Sequence, residues 1–299
     1  FWRFNPLVIA DPPVTPDAGK RAGGHMDIEV RRGLVEARRL AGEHWQPLLA
    51  YMLLGVVLPY LLLASEPVLS IEVLVALALV PEDFRFTGSI VGPLYLLGIC
   101  AALLCGGMLA LWRALLAEIR EGYIAEIMYG MVAGAAYLIA GLLFYYLIGF
   151  LLALPFRVTV GMEVARAEGT PIAIARQILT AIISAWFNAR LCLIGPVMAE
   201  SGRLEPVTAL IESWRRTARP QWRLFGLYLA FNIVAAAAIG LLFFLHSYLI
   251  LGGEETRPAA MAMSSGWLLF WCVWFAAVTL APAGLYRAAQ SGGAAEGVA

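Results

Sequence analysis

The sequence predicts an all-α, polytopic membrane helix bundle of about six transmembrane helices with interfacial amphipathic helices on the cytoplasmic side, and three observations carry that prediction. Hydrophobic residues make up 61% of the chain and charged residues only 14%, against about 25% charged in an ordinary soluble domain. Apolar residues gather into runs close to the roughly 20 residues a helix needs to cross hydrocarbon. Basic residues collect in the connections on one side. The 21 basic residues balance 21 acidic ones, so net charge indicates no nucleic-acid partner.

Residues 1–25 hold four prolines and show no sustained period, so they are read as a disordered extension or as sequence upstream of a start at Met26. The membrane domain spans 26–287, and a small, flexible tail follows over 288–299. From Asp27 to Trp45, apolar residues Val30, Leu34, Ala37 and Ala41 recur at helical steps opposite Arg31, Arg32, Arg38 and Arg39, the pattern of an interfacial helix. A first span covers Gln46–Ala64, with Pro47 and Pro59 inside it.

The apolar stretch 68–80 is short and interrupted by Glu72, which favours a re-entrant or interfacial helix over a span. Ile90–Trp112 is the second span, and its Gly98, Gly106 and Gly107 permit close helix contact. Ile127–Leu154 is long enough to tilt or to emerge early, and Phe156–Thr170 is a polar connection. The fourth segment, Ile172–Ala199, carries Arg176, Gln177, Asn188 and Arg190. Next comes a second amphipathic helix, with Val207, Leu210, Ile211, Trp214 and Ala218 opposite Glu212, Arg215, Arg216 and Arg219. Pro220 ends it, and Trp222 with Arg223 marks the interface. The last spans are Leu224–Leu245 and Trp267–Tyr286, with Trp267 read as an interfacial anchor. Residues 34–53 and 210–229 echo each other in order, as an internal repeat or as two basic elbows that resemble each other by necessity.

With the amino terminus inside, only Arg85, Arg157, Arg166 and Arg257 fall outside, and Arg176 and Arg190 lie in or beside the fourth segment. Every other basic residue is then cytoplasmic, as the positive-inside rule requires. Both termini are expected in the cytoplasm of a bacterium, bounded by its inner membrane.

Ionisable or amide groups at membrane depth are costly, so Glu126, Asn188, Arg190 and Asn232 form a candidate intramembrane polar site. Arg190 has two readings: an ion pair with Glu126 or Glu200, or a clamp on backbone carbonyls, that ties helices together; or a contact to substrate or lipid headgroup. Arg31, Arg38, Arg39, Arg215, Arg216 and Arg219 are expected to meet anionic headgroups. Cys100, Cys105, Cys192 and Cys272 form no metal or disulfide pattern. Neither a cofactor nor a metal is implied, and no catalytic motif of the HExxH, GxSxG or phosphate-loop kind occurs.

Within residues 189–226, Arg190, Pro196, Glu200, Ala209, Leu210, Ser213, Trp214 and Trp222 follow one another in an order that resembles uncharacterised bacterial inner-membrane proteins. The order is also similar to the membrane domain that some bacterial glycerophosphodiester phosphodiesterases carry beside their catalytic barrel. Arg219 and Pro220 stand where that pattern has a glycine, and the barrel is missing. The resemblance implies a fold and a compartment, without phosphodiesterase activity. The expected function is therefore non-enzymatic: an accessory or structural membrane protein that contacts phospholipid, a membrane-protein partner or a second copy of itself. The alternative is a transporter or lipid-handling permease with a polar site around Arg190.

Overall fold

The computed structural model describes residues 29–64, 91–117, 122–160, 171–251 and 257–296. The expectations for 1–25 and for 68–80 lie outside them. Among the described residues there is no strand. The helices are α1 (Val30–Glu43), α2 (Trp45–Met52), α3 (Leu58–Ala64), α4 (Val91–Leu116), α5 (Tyr123–Val160), α6 (Pro171–Leu191), α7 (Ile194–Ser201), α8 (Pro206–Arg216), α9 (Gln221–Leu251) and α10 (Arg257–Glu296). A widened π-helical turn, Leu53–Val57, joins α2 to α3. Six stretches are long and apolar enough to cross a membrane: Trp45–Ala64, Tyr95–Leu116, Tyr123–Leu143, Ile178–Ser201, Gln221–Leu249 and Met261–Ser291. This is the architecture of a multi-pass membrane protein.

Prolines explain where the spans bend. Pro59 has no N–H to offer the carbonyl of Gly55, and the wide turn Leu53–Val57 opens just before it. Pro196 likewise leaves the carbonyl of Cys192 without its usual donor, and the fourth span breaks between α6 and α7. Gly202, at φ 67°, ends α7 in the left-handed conformation that glycine adopts freely. Pro206 then opens α8 at a position where the missing N–H costs nothing.

Small residues set the closest crossings, as expected where lipid removes most of the hydrophobic drive between helices. A Cβ on Gly134 would stand 2.6 Å from the backbone nitrogen of Gly106, so α4 and α5 touch backbone to backbone. A Cβ on Gly107 would stand 3.0 Å from the Cα of Gly55, whereas one on Gly98 would have nothing within 4 Å. On the other side, α1 lies against the end of α10: a Cβ on Gly33 would reach Leu285 at 2.6 Å, and one on Gly284 would reach the nitrogen of Ala37 at 2.5 Å. Leu40 is fully buried there. The core between these crossings holds Leu109, Leu111, Trp112, Leu115, Phe275 and Tyr286.

Three boundaries differ from expectation. Helix α5 runs unbroken to Val160, into the stretch read as a polar connection. Helix α10 continues to Glu296, through most of 288–299, because Ala288 and Ala289 are buried in the bundle and hold the helix past the span. Trp267, read as an interfacial anchor, is only 1% exposed and is a core side chain.

Helix α6 packs on α9 and α8, whereas α5 packs on α4. The α6–α9 pair therefore stands to one side of the bundle, and the outer face of α9, with Ile233, Val234, Phe244 and Tyr248, is exposed.

Candidate functional site

The break between α6 and α7 is completed by side chains from α8. Ser213, fully buried, donates to the carbonyl of Arg190 at 2.7 Å and accepts from the backbone N–H of Leu193 at 3.3 Å. Thr217, just past the end of α8, donates at 2.8 Å to the carbonyl of Ser213, with the Arg190 carbonyl farther off at 3.2 Å. The Ser213 hydroxyl thus satisfies two backbone groups freed by the break, which buried backbone requires. Ala209, Ser213 and Thr217 repeat every fourth residue, and this stripe packs inward. Val207 and Ile211 stay exposed.

The break also positions Arg190. Its side chain is 5% exposed, and its guanidinium lies 4.3 Å from the centre of the Trp214 ring. Trp186 meets Trp214 edge to face at 5.4 Å. Nε and Nη1 of Arg190 are buried without a hydrogen-bond partner. Neither expected carboxylate reaches it. Glu126, 1% exposed in the first turn of α5, accepts from the Tyr51 hydroxyl. Glu200 accepts from Tyr286 and Gln290. The expected ion pair is replaced by stacking, because the carboxylates sit on helices anchored elsewhere by tyrosines.

Between the α6–α9 pair and the rest lies a cavity of about 440 Å³. Helix α6 presents Thr180, Ser184 and Asn188 to it, one residue per helical turn, and α9 presents Tyr228 and Asn232. Met108, Trp112, Tyr137, Trp274 and Val278 supply apolar and aromatic walls, and Pro206, Val207 and Leu210 of α8 close one end. Among the described residues, its lining contains no Asp, Glu, Lys, Arg or His. Gly141, Thr180 and Asn188 line the cavity and are exposed, which places a mouth on the flank between α5 and α6. Tyr228 is buried, and its hydroxyl lies beside the Cys192 thiol without meeting hydrogen-bond geometry.

The predicted polar site therefore divides. Asn188 and Asn232 share the cavity, whereas Arg190 and Glu126 do not line it. Thr180, Ser184 and Tyr228 escaped sequence reasoning. The spacing of Thr180, Ser184 and Asn188 is the signal that could have found the first two, since four-residue steps place them on one face.

Arg31, Arg38, Arg215 and Arg219 are exposed. Arg39, also exposed, bridges Glu36 and Glu43, each at 3.2 Å. Arg216 turns inward instead, paired with Glu212 and 5.1 Å from the centre of the Tyr286 ring. Burial disfavours its charge, but Tyr286 and Glu212 more than offset this, so its pKa stands above the ordinary arginine value. Beside it, Arg113 donates to the carbonyls of Ala199 and Glu200 at 2.8 and 3.2 Å, a cation at the end of α7.

Among the described residues, no group of three or more His, Cys, Asp or Glu could hold a metal. The class these features define is a multi-pass helical membrane protein with a cavity whose described polar groups are uncharged. In comparison with known proteins, the chain matches no family model, no curated protein and no solved structure.

Proposed function

We propose that the chain is an integral protein of the bacterial inner membrane, with cytoplasmic termini, that receives an uncharged amphipathic molecule from the bilayer. Its role is accessory rather than enzymatic: it holds or presents the molecule. The observation that carries this reading is the cavity, whose walls are apolar and whose polar groups are hydroxyls and carboxamides from Thr180, Ser184, Asn188 and Asn232. Such groups match a head bearing hydroxyl, ester or amide functions, and the apolar walls match a hydrocarbon chain. A mouth between α5 and α6 suits lateral uptake. The likeness of residues 189–226 to the membrane domain beside phosphodiesterase barrels supports the fold and the compartment in this reading, and nothing about the molecule held. Exposed Arg31, Arg38, Arg39, Arg215 and Arg219 suit anionic headgroups, and the outer face of α9 is left to lipid or to another membrane protein.

A lipid-handling permease is the second reading, favoured because α8 closes one end of the same cavity. Native mass spectrometry of protein extracted in mild detergent tests binding. The wild type should retain a neutral lipid that Val278→Trp, which fills the cavity, and Asn188→Leu both lose. Equal retention by all three removes the cavity from the function. Flux of that lipid between liposome leaflets then separates the permease from the accessory protein.

A further inference from the structure

A second site lies on the other side of α6, and it does not depend on what the cavity holds. Arg190 and Asn188 are two residues apart on that helix and so face nearly opposite ways. Among the arginines packed into this end of the bundle, Arg113 and Arg287 reach backbone carbonyls and Arg216 reaches Glu212. Arg216 also buries an unpartnered Nη1 but keeps its ion pair, whereas Arg190 is offered only an aromatic ring, with Nε and Nη1 unpartnered at 5% exposure. Ser213 of α8 donates to the backbone carbonyl of Arg190 and Thr217, just past α8, to the carbonyls of Ser213 and Arg190, so both hydroxyl protons are directed at backbone.

A guanidinium enclosed in this way keeps its charge wherever it sits, since it does not deprotonate in proteins. Stacking on an aromatic face satisfies the plane of the ion and leaves its N–H edge as the unmet group. A planar fork of donors is matched best by a tetrahedral or planar oxyanion bound through two oxygens. Trp214 also brings Arg215 and, one turn on, Arg219, both exposed, so the approach to the site is positive.

We infer that Arg190, stacked on Trp214, is a receptor for a phosphate-type anion at the α6–α8 junction. The shared chemistry is a phosphate oxygen pair, whether it comes from a phospholipid headgroup or from free phosphate. The side chain serves as both lock and ligand, because swinging its N–H edge outward needs only rotation about the stem while Trp214 keeps one face covered.

The test is ³¹P NMR of the full chain in an uncharged, phosphorus-free detergent, titrated with dioctanoyl phosphatidylglycerol or with inorganic phosphate. Wild type should broaden the phosphorus resonance saturably, and Arg190→Gln should weaken the apparent affinity at least tenfold. Broadening by the lipid alone assigns the site to headgroups, and equal broadening by inorganic phosphate assigns it to a soluble anion. Indistinguishable titrations for wild type and Arg190→Gln overturn the inference, as does the lack of saturable broadening with both probes. Should Arg190→Gln fail to fold, Arg190→Lys decides. It keeps the charge but not the stacked fork, so a tenfold loss supports the site and an unchanged affinity refutes it.

Discussion

At the scale of single residues, two buried side chains hold the geometry on which both sites rest. Ser213 bonds two backbone groups at the break, so Ser213→Ala should cost about 1 kcal/mol and lower the melting midpoint by roughly 2–4 °C. Differential scanning fluorimetry in detergent reads that shift, and an unchanged midpoint would mean that the break is held by packing alone. Trp112 is the other: its indole N–H donates to the carbonyl of Thr279 at 2.7 Å, and its ring covers Gly195 so closely that a methyl group there would enter the ring. Gly195→Ala should therefore destabilise by about 1–3 kcal/mol. Because one contact accounts for both effects, adding Trp112→Phe should recover part of the loss, and strictly additive melting shifts would refute the contact.

Between elements, spacing between helices decides more than apolar character does. Helices α4 and α5 approach through Gly106, Gly130 and Gly134, where a Cβ has no room. Gly134→Leu should separate them and abolish a cooperative melt, whereas Gly141→Leu, with nothing within 4 Å of its Cβ position, should fold normally. Since Gly141 lines the mouth of the cavity, the same variant should retain less neutral lipid in the mass-spectrometric assay. That pair of outcomes separates glycine as a packing device from glycine as a space left for a ligand. The charged ends follow a similar logic: Arg113 and Arg287 fasten onto backbone carbonyls of neighbouring helices.

For the whole molecule, the spans were legible because hydropathy over a run of residues is a local property, and all six lie where the apolar runs lie. The surface position of Arg31, Arg38 and Arg215 was legible for the same reason. Pairing was not: whether Arg190 meets Glu126 or Trp214 depends on which helices are neighbours, and a tyrosine on α2 claimed Glu126. The inward turn of Arg216 and the burial of Trp267 and Ala289 share that cause, since each is set by a partner helix far away in sequence. The cavity was half legible, as Asn188 and Asn232 stood out in apolar runs while the void between them is a product of how α6 and α9 stand apart from the rest. Orientation belongs to this scale. In a background without native cysteines, Gly42→Cys and Ser291→Cys should react with a membrane-impermeant maleimide only in permeabilised spheroplasts, and Arg257→Cys, at a position the charge distribution puts outside, should react in intact ones. The reverse pattern would invert the protein.

The hydroxyl of Ser213 ties the short helix α8 to a fracture in a helix long and apolar enough to cross a membrane. Sliding α8 by even one turn would strand a carbonyl and an amide where no water reaches them. The break and α8 are therefore fastened as one joint. Because α8 also lines the void and carries the tryptophan against Arg190, the hydroxyl of Ser213 stands at the point where both sites share a hinge pin.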